Sequence, residues 1–166
     1  MPKRPKKSQF KAKKSLGQNF LRDHSTLAKI IAAANIKSDE TILEIGPGRG
    51  ILTQELASRA KKVIALELDQ RLISELLAKF PPYRNVAILH QDALTFLPPK
   101  EPYKLVANIP YYITSPILNH FLREQPESCR PTSLTLLVQK EVAEKIVAAS
   151  KANKANHSVL SLQVHM

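Results

Sequence analysis

A doubly wound α/β fold with a mostly parallel sheet is what this sequence predicts, and three observations predict it. From Asp23 onward, short apolar runs rich in Val, Ile and Leu alternate with helical stretches of about 10–15 residues. A glycine cluster, Gly46, Gly48 and Gly50, stands at the first strand-to-helix junction. The chain is 166 residues long, 43% hydrophobic and 23% charged, which is enough for one globular domain with a real core and too little for two.

Residues 1–15 are basic, proline-bearing and aperiodic, and read as a flexible arm; residues 16–166 read as the domain. Asp23 or Ser25 caps a helix running to about Asn35, with Leu27, Ile30, Ile31 and Ala34 on one face. Thr41–Ile45 is the first strand, followed by the glycines and a helix near Leu52–Lys61. Val63–Glu67 is the second strand. Gln70–Phe80 is the next helix, with Leu72, Leu76 and Leu77 facing inward and Pro81 and Pro82 stopping it. Val86–Gln91 and Lys104–Ala107 are the third and fourth strands, the latter ending at Asn108. After the Pro110 turn a helix covers Ser115–Arg123. Ser133–Val138, a helix over Lys140–Ala149 and a strand over Ser158–Val164 complete the pattern.

Charge and cysteine content exclude several classes. The net charge is +11, of which +7 sits in residues 1–14 (Lys3, Arg4, Lys6, Lys7, Lys11, Lys13, Lys14), leaving a body that is nearly balanced. Such an arm suits phosphate neutralisation, which binds without reading sequence; a solvated tail is the plain alternative. The lone Cys129 makes no internal disulfide, and His24, His90, His120, His157 and His165 show no ligand spacing, so no metal site is expected. No apolar run approaches a membrane span, and no secretory signal is present. A reducing, cytoplasmic setting is expected.

Glu44-Ile45-Gly46-Pro47-Gly48-Arg49-Gly50 joins a strand to a helix. Gly46 and Gly48 allow a sharp turn and a ligand close to the backbone, and the following helix points free N–H groups at it. A dinucleotide fingerprint needs a third glycine where Ile51 stands, so a dehydrogenase is disfavoured. Glu67, at the end of the second strand, is placed to accept both hydroxyls of a ribose, which S-adenosylmethionine and NAD both carry. Asp92, in Gln91-Asp92-Ala93, can accept from an adenine amine or cap a short turn. Arg49 is placed to touch a cofactor carboxylate, an RNA phosphate or solvent, and Lys140 and Glu141 open the next helix.

Asn108-Ile109-Pro110-Tyr111 points to the chemistry. The exocyclic amine of adenine or cytosine is a poor nucleophile because its lone pair is delocalised into the ring. The Asn108 amide oxygen and the Ile109 carbonyl, both accepting from that amine, would localise the pair. Pro110 stiffens the turn, and Tyr111 offers a stacking face to an extruded base.

These stretches resemble the ribosomal RNA adenine dimethyltransferase family. The resemblance rests on Ser15–Leu21 (SLGQNFL), EIGPGRGILT at 44–53, ALELD at 65–69, QDAL at 91–94, NIPYYIT at 108–114 and VQKEVAEKI at 138–146, with HSVLSLQV at 157–164 as a weaker continuation. It implies the class I S-adenosylmethionine-dependent methyltransferase fold, with S-adenosylmethionine as methyl donor. It also implies methylation of the N6 amines of two adjacent adenosines near the 3′ end of small-subunit rRNA. By motif, Asn19 and Leu21 would close over the cofactor and Gly46 would line its methionine end. Glu67 would hold the ribose, Asp92 the adenine, and Asn108 would lie between donor methyl and target amine. The family's F-x-P-x-P-K-V segment, last strand and helical RNA-binding domain are absent, and His157 replaces a usual tyrosine, so the chain reads as an N-terminal portion.

Two further readings stand beside this one. A resistance-type methylase of large-subunit rRNA shares NIPY and the acidic strand end, though EIGPG and GQNFL favour the small-subunit enzyme. A non-catalytic rRNA-binding assembly factor would use the basic arm, but keeping Asn108, Tyr111 and Glu67 argues against a purely structural role. The expected partner is the small ribosomal subunit or its rRNA, with the chain a monomer and no membrane involved.

Overall fold

The structure is a computed structural model, and residues 21, 23–81, 85–149 and 159–163 are described. The order of elements is α1 (His24–Ala34), β1 (Thr41–Ile45), α2 (Ile51–Ala57), β2 (Lys62–Glu67), α3 (Gln70–Lys79), β3 (Val86–His90), β4 (Tyr103–Asn108), α4 (Thr114–Asn119), β5 (Ser133–Leu137), α5 (Lys140–Ala149) and β6 (Val159–Gln163). The six strands lie in the order β3-β2-β1-β4-β5-β6. The first five are parallel, and β6 runs antiparallel to β5.

Alternation along each strand divides the core in two. Leu43 and Ile45 of β1, with Leu66, Leu105, Ala107, Leu134 and Leu136, face one side and pack on Ile117, Phe121 and Ala143 from α4, the segment after it and α5. Ile42, Val63 and Val106 face the other side and meet Leu27, Ile30 and Ala34 of α1 and Leu52 and Leu56 of α2. Helix α3 covers the β3 edge with Leu72, Leu76 and Phe80.

Local chemistry sets the ends of these elements. Asp23 caps α1, its carboxylate accepting from the Ser25 and Thr26 amides at 3.2 and 2.8 Å. Asn35 closes the helix in the left-handed region at φ 43°, and Lys104 Nζ donates to the Ala34 and Asn35 carbonyls at 3.3 and 2.7 Å. Helix α2 stops at Ala57, short of the Lys61 expected from sequence. Beyond Ala57, Asn85 reaches across to donate to the Ala57 and Ala60 carbonyls.

Two other expectations are corrected. Leu77 is 54% exposed, because the inward stripe is Leu72, Leu76 and Phe80, and β3 is a sheet edge with no further strand beyond it among the described residues. The single helix expected over 115–123 is composite: a 3₁₀ turn over Tyr111–Ile113, α4, then a π-helical stretch over His120–Glu124. The widened π turn brings His120 into the interior, where it is 7% exposed.

Candidate cofactor cleft

The order of strands reverses between β1 and β4, and at such a switch point the crevice beyond the strands' carboxyl ends is open to a ligand. A cavity of about 260 Å³ lies there. Seven of the positions singled out from sequence line it: Gly46, Gly48, Glu67, Asp92, Asn108, Ile109 and Pro110. They come from four different strand ends, so the fold collects residues that lie far apart along the chain. Leu21 lines a small adjoining recess with Arg49, Gly46, Gly48 and Asn108. Asn19 and the Tyr111 side chain lie outside what is described, as do the basic arm and His157. Arg49 is exposed, and Lys140 and Glu141 open α5.

The glycine loop is shaped by backbone conformation. Gly46, Gly48 and Gly50 have φ of 70°, 58° and 73°, the left-handed region that costs other residues strain. A Cβ on Gly46 would come no closer than 3.9 Å to a neighbour, the Asn108 carbonyl oxygen, so the loop leaves open space between β1 and β4. Gly50 answers to packing instead: a Cβ there would sit 2.6 Å from the Phe80 ring.

Glu67 is buried and already oriented. Its Oε2 accepts from the Gly48 amide at 3.1 Å and its Oε1 from the Asp69 amide at 2.9 Å. Two carboxylate oxygens offer more acceptor sites than these amides fill. Burial raises its proton affinity, and these amides pull it back down. Asp92 caps a turn and lines the cavity as well, its Oδ1 accepting from the Leu94 amide at 2.9 Å. Apart from Gln91, the rest of the lining is mostly apolar, including Ile45, Leu66, Ala93, Leu94 and Ile117.

Glu44 was not singled out from sequence. It shares the β1 face of Ile42, is 1% exposed, and neither carboxyl oxygen has a partner of hydrogen-bond geometry among the described residues. Burial pushes its carboxyl up to about 8; the nearby Thr53 hydroxyl and Lys79 oppose that, and Glu67 adds to it. Its position one residue before Ile45 of the loop entry could have flagged it, but a Glu in a five-residue strand carries no sign of which face it takes.

The donor set has room and partners for an adenosine-bearing ligand. Two carboxylates at the ends of β2 and β3 match a ribose and an amine, apolar walls match a purine, and the glycine-lined end has room for a chain against the backbone. Among the described residues no group of three or more His, Cys, Asp and Glu is placed to hold a metal ion, and no helix is long and apolar enough to cross a membrane.

Comparison with known proteins bears on the fold and the family. The "Ribosomal RNA adenine dimethylase" family profile matches residues 9–166. "Ribosomal RNA small subunit methyltransferase A" of Dehalococcoides mccartyi is 49% identical over 144 residues, 84% of this chain and 48% of that protein. The chain thus spans about half the length of the curated relatives it matches. Among solved structures, the 23S rRNA methyltransferase ErmE superposes with a TM-score of 0.72 at 40% identity, covering 79% of this chain and 52% of the other. A dimethyladenosine transferase from Plasmodium falciparum gives 0.69 at 38% identity, covering 78% and 46%. The parallel sheet, its flanking helices and these neighbours place the fold among the class I methyltransferases. On the strength of that match across nearly its whole length, the chain belongs to the ribosomal RNA adenine dimethylase family.

Proposed function

We propose that this chain is the cofactor-binding and catalytic part of an S-adenosylmethionine-dependent enzyme that dimethylates N6 of two adjacent adenosines in small-subunit rRNA. The observation that carries the reading is the meeting, in one cavity, of the Asn108-Ile109-Pro110 strand tip with the Gly46 loop, Glu67 and Asp92. When bound, S-adenosylmethionine supplies an electrophilic methyl group. Glu67 would hold the ribose hydroxyls, Asp92 the adenine amine, and Gly46 the methionine end, with Leu21 and Asn19 closing over it.

Asn108 and Ile109 would act on the other substrate. Their two oxygens, accepting from the target amine, draw its nitrogen toward tetrahedral geometry and offset the positive charge that grows there. The amine becomes acidic only as it is alkylated, so no general base is needed beforehand. Holding nitrogen and donor in line supplies much of the remaining acceleration. Tyr111 would stack on the extruded base.

The test is methyl incorporation from labelled S-adenosylmethionine into isolated small subunits, in the chain extended to its relatives' full length. Asn108→Ala should lower turnover about 100-fold or more while cofactor affinity changes little. Turnover at the unsubstituted rate would refute the assignment. The likeness to ErmE favours one second reading, a methylase of 23S rRNA. Offering separated large and small subunits to the enzyme decides between them.

A further inference from the structure

His120 belongs to no sequence motif used above, yet it joins the two walls of the cleft. It is 7% exposed and sits in the π-helical stretch that continues α4, downstream of the Asn108 strand tip. Its Nε2 lies 3.0 Å from the Phe96 carbonyl oxygen, which can only accept, so Nε2 carries the proton and donates. On the other side, Nδ1 lies 3.1 Å from Glu124 Oε2, while the Gln125 amide group lies 3.1 Å from Nε2 itself, beside the Phe96 carbonyl.

Phe96 ends the segment that carries Asp92. The other hydrogen bonds described within Asp92–Phe96 are local: the Leu94 amide to Asp92 Oδ1, and the Thr95 amide and hydroxyl to the Asp92 carbonyl. These shape the turn but do not fix where the turn stands relative to β4 and α4. The His120 bond does, spanning 24 residues of chain, and the buried Phe96 ring packs in the same core as Ile109 and Ile117. A π turn costs regular helix geometry, and here the gain is an imidazole directed at a loop of the site.

We propose that His120 is a positioning residue of the cofactor cleft, pinning the Asp92 segment to the helix that leaves the Asn108 tip. It touches no ligand itself. Through Phe96 it sets how far Asp92 stands from the strand tip, and so how well an adenine amine is met at one end while the target amine is met at the other. The inference rests on the reading of Asp92 as the adenine acceptor.

The experiment is a double-mutant cycle on S-adenosylhomocysteine affinity, read by calorimetry with the 166-residue chain. His120→Leu, which cannot donate, should weaken binding about tenfold, and His120→Gln, which keeps an amide donor, should recover most of that loss. In an Asp92→Ala background, His120→Leu should cost less than about twofold more, because the residue it positions is gone. Glu124→Gln, at a position 55% exposed, tolerates substitution and releases the Nδ1 side; a weakening of about two- to fivefold is expected. Equal losses from His120→Leu with and without Asp92 would overturn the proposal, leaving His120 a core residue only. Should His120→Leu fail to fold, a His120→Gln chain that binds about tenfold weaker than the parent, together with an unchanged affinity in Glu124→Gln, would overturn it as well. A parent chain that does not bind S-adenosylhomocysteine would instead bring down the cofactor reading on which this one rests.

Discussion

Replacing Glu44 with Gln measures how far burial holds a carboxyl neutral beneath the glycine loop. The side chain is 1% exposed on the α1–α2 face of the sheet, without a hydrogen-bond partner among the described residues. Removal from water pushes its carboxyl from the ordinary 4.5 up to about 8, against the opposing pull of Thr53 and Lys79. Between those two values the folded chain holds more protons at this site than the unfolded chain does. Stability is therefore fully present below about pH 4.5 and is lost as pH rises toward 8. Each pH unit crossed in that window removes about 1.4 kcal/mol, so this one group should cost about 3 kcal/mol between about pH 5.5 and about pH 8.5. Glutamine has nearly the same shape and cannot ionise. Urea unfolding across that range should show a steep decline in the parent and a decline about 3 kcal/mol smaller in Glu44→Gln. Glu67, also raised by burial, contributes a slope of the same sign to both proteins. Parallel pH profiles for the two proteins would refute the reasoning, showing that the Glu44 carboxyl is ionised and solvated in the folded state.

Further substitutions probe the frame around the site. Gly50→Ala places a Cβ 2.6 Å from the Phe80 ring at a backbone φ of 73°. It should cost about 2–4 kcal/mol in chemical denaturation, overpacking and left-handed strain together. Lys104→Met removes the amine that meets the last carbonyls of α1 and pairs with Glu40 at 2.9 Å. A loss of about 1–3 kcal/mol is expected, shrinking with added salt less than an exposed pair would, since Lys104 is 14% exposed.

Much of the fold was legible because its signals are local. Thr41–Ile45 and Lys140–Ala149 fall where the sequence places them, since short apolar runs and amphipathic stretches declare themselves within a few residues. What the sequence could not show depends on distant partners. Asn85, 28 residues after Ala57, ends α2; the position of β3 at the sheet edge leaves Leu77 in solvent. The π turn at His120 answers to Phe96, far upstream. That Glu67 and Asp92 line the cavity was visible because strand ends are where an α/β sheet opens its crevice, whereas Glu44 and His120 lie inside the core and carry no positional sign.

Titration of the 166-residue chain with S-adenosylmethionine, followed by calorimetry, bears most directly on the cleft. A single site per chain is predicted, weakened about 10- to 100-fold in Glu67→Gln, where one charged acceptor for the ribose is replaced by a neutral amide. The absence of binding heat in the parent, or equal affinity in Glu67→Gln, would contradict a cofactor held between the glycine loop and the ends of β2, β3 and β4.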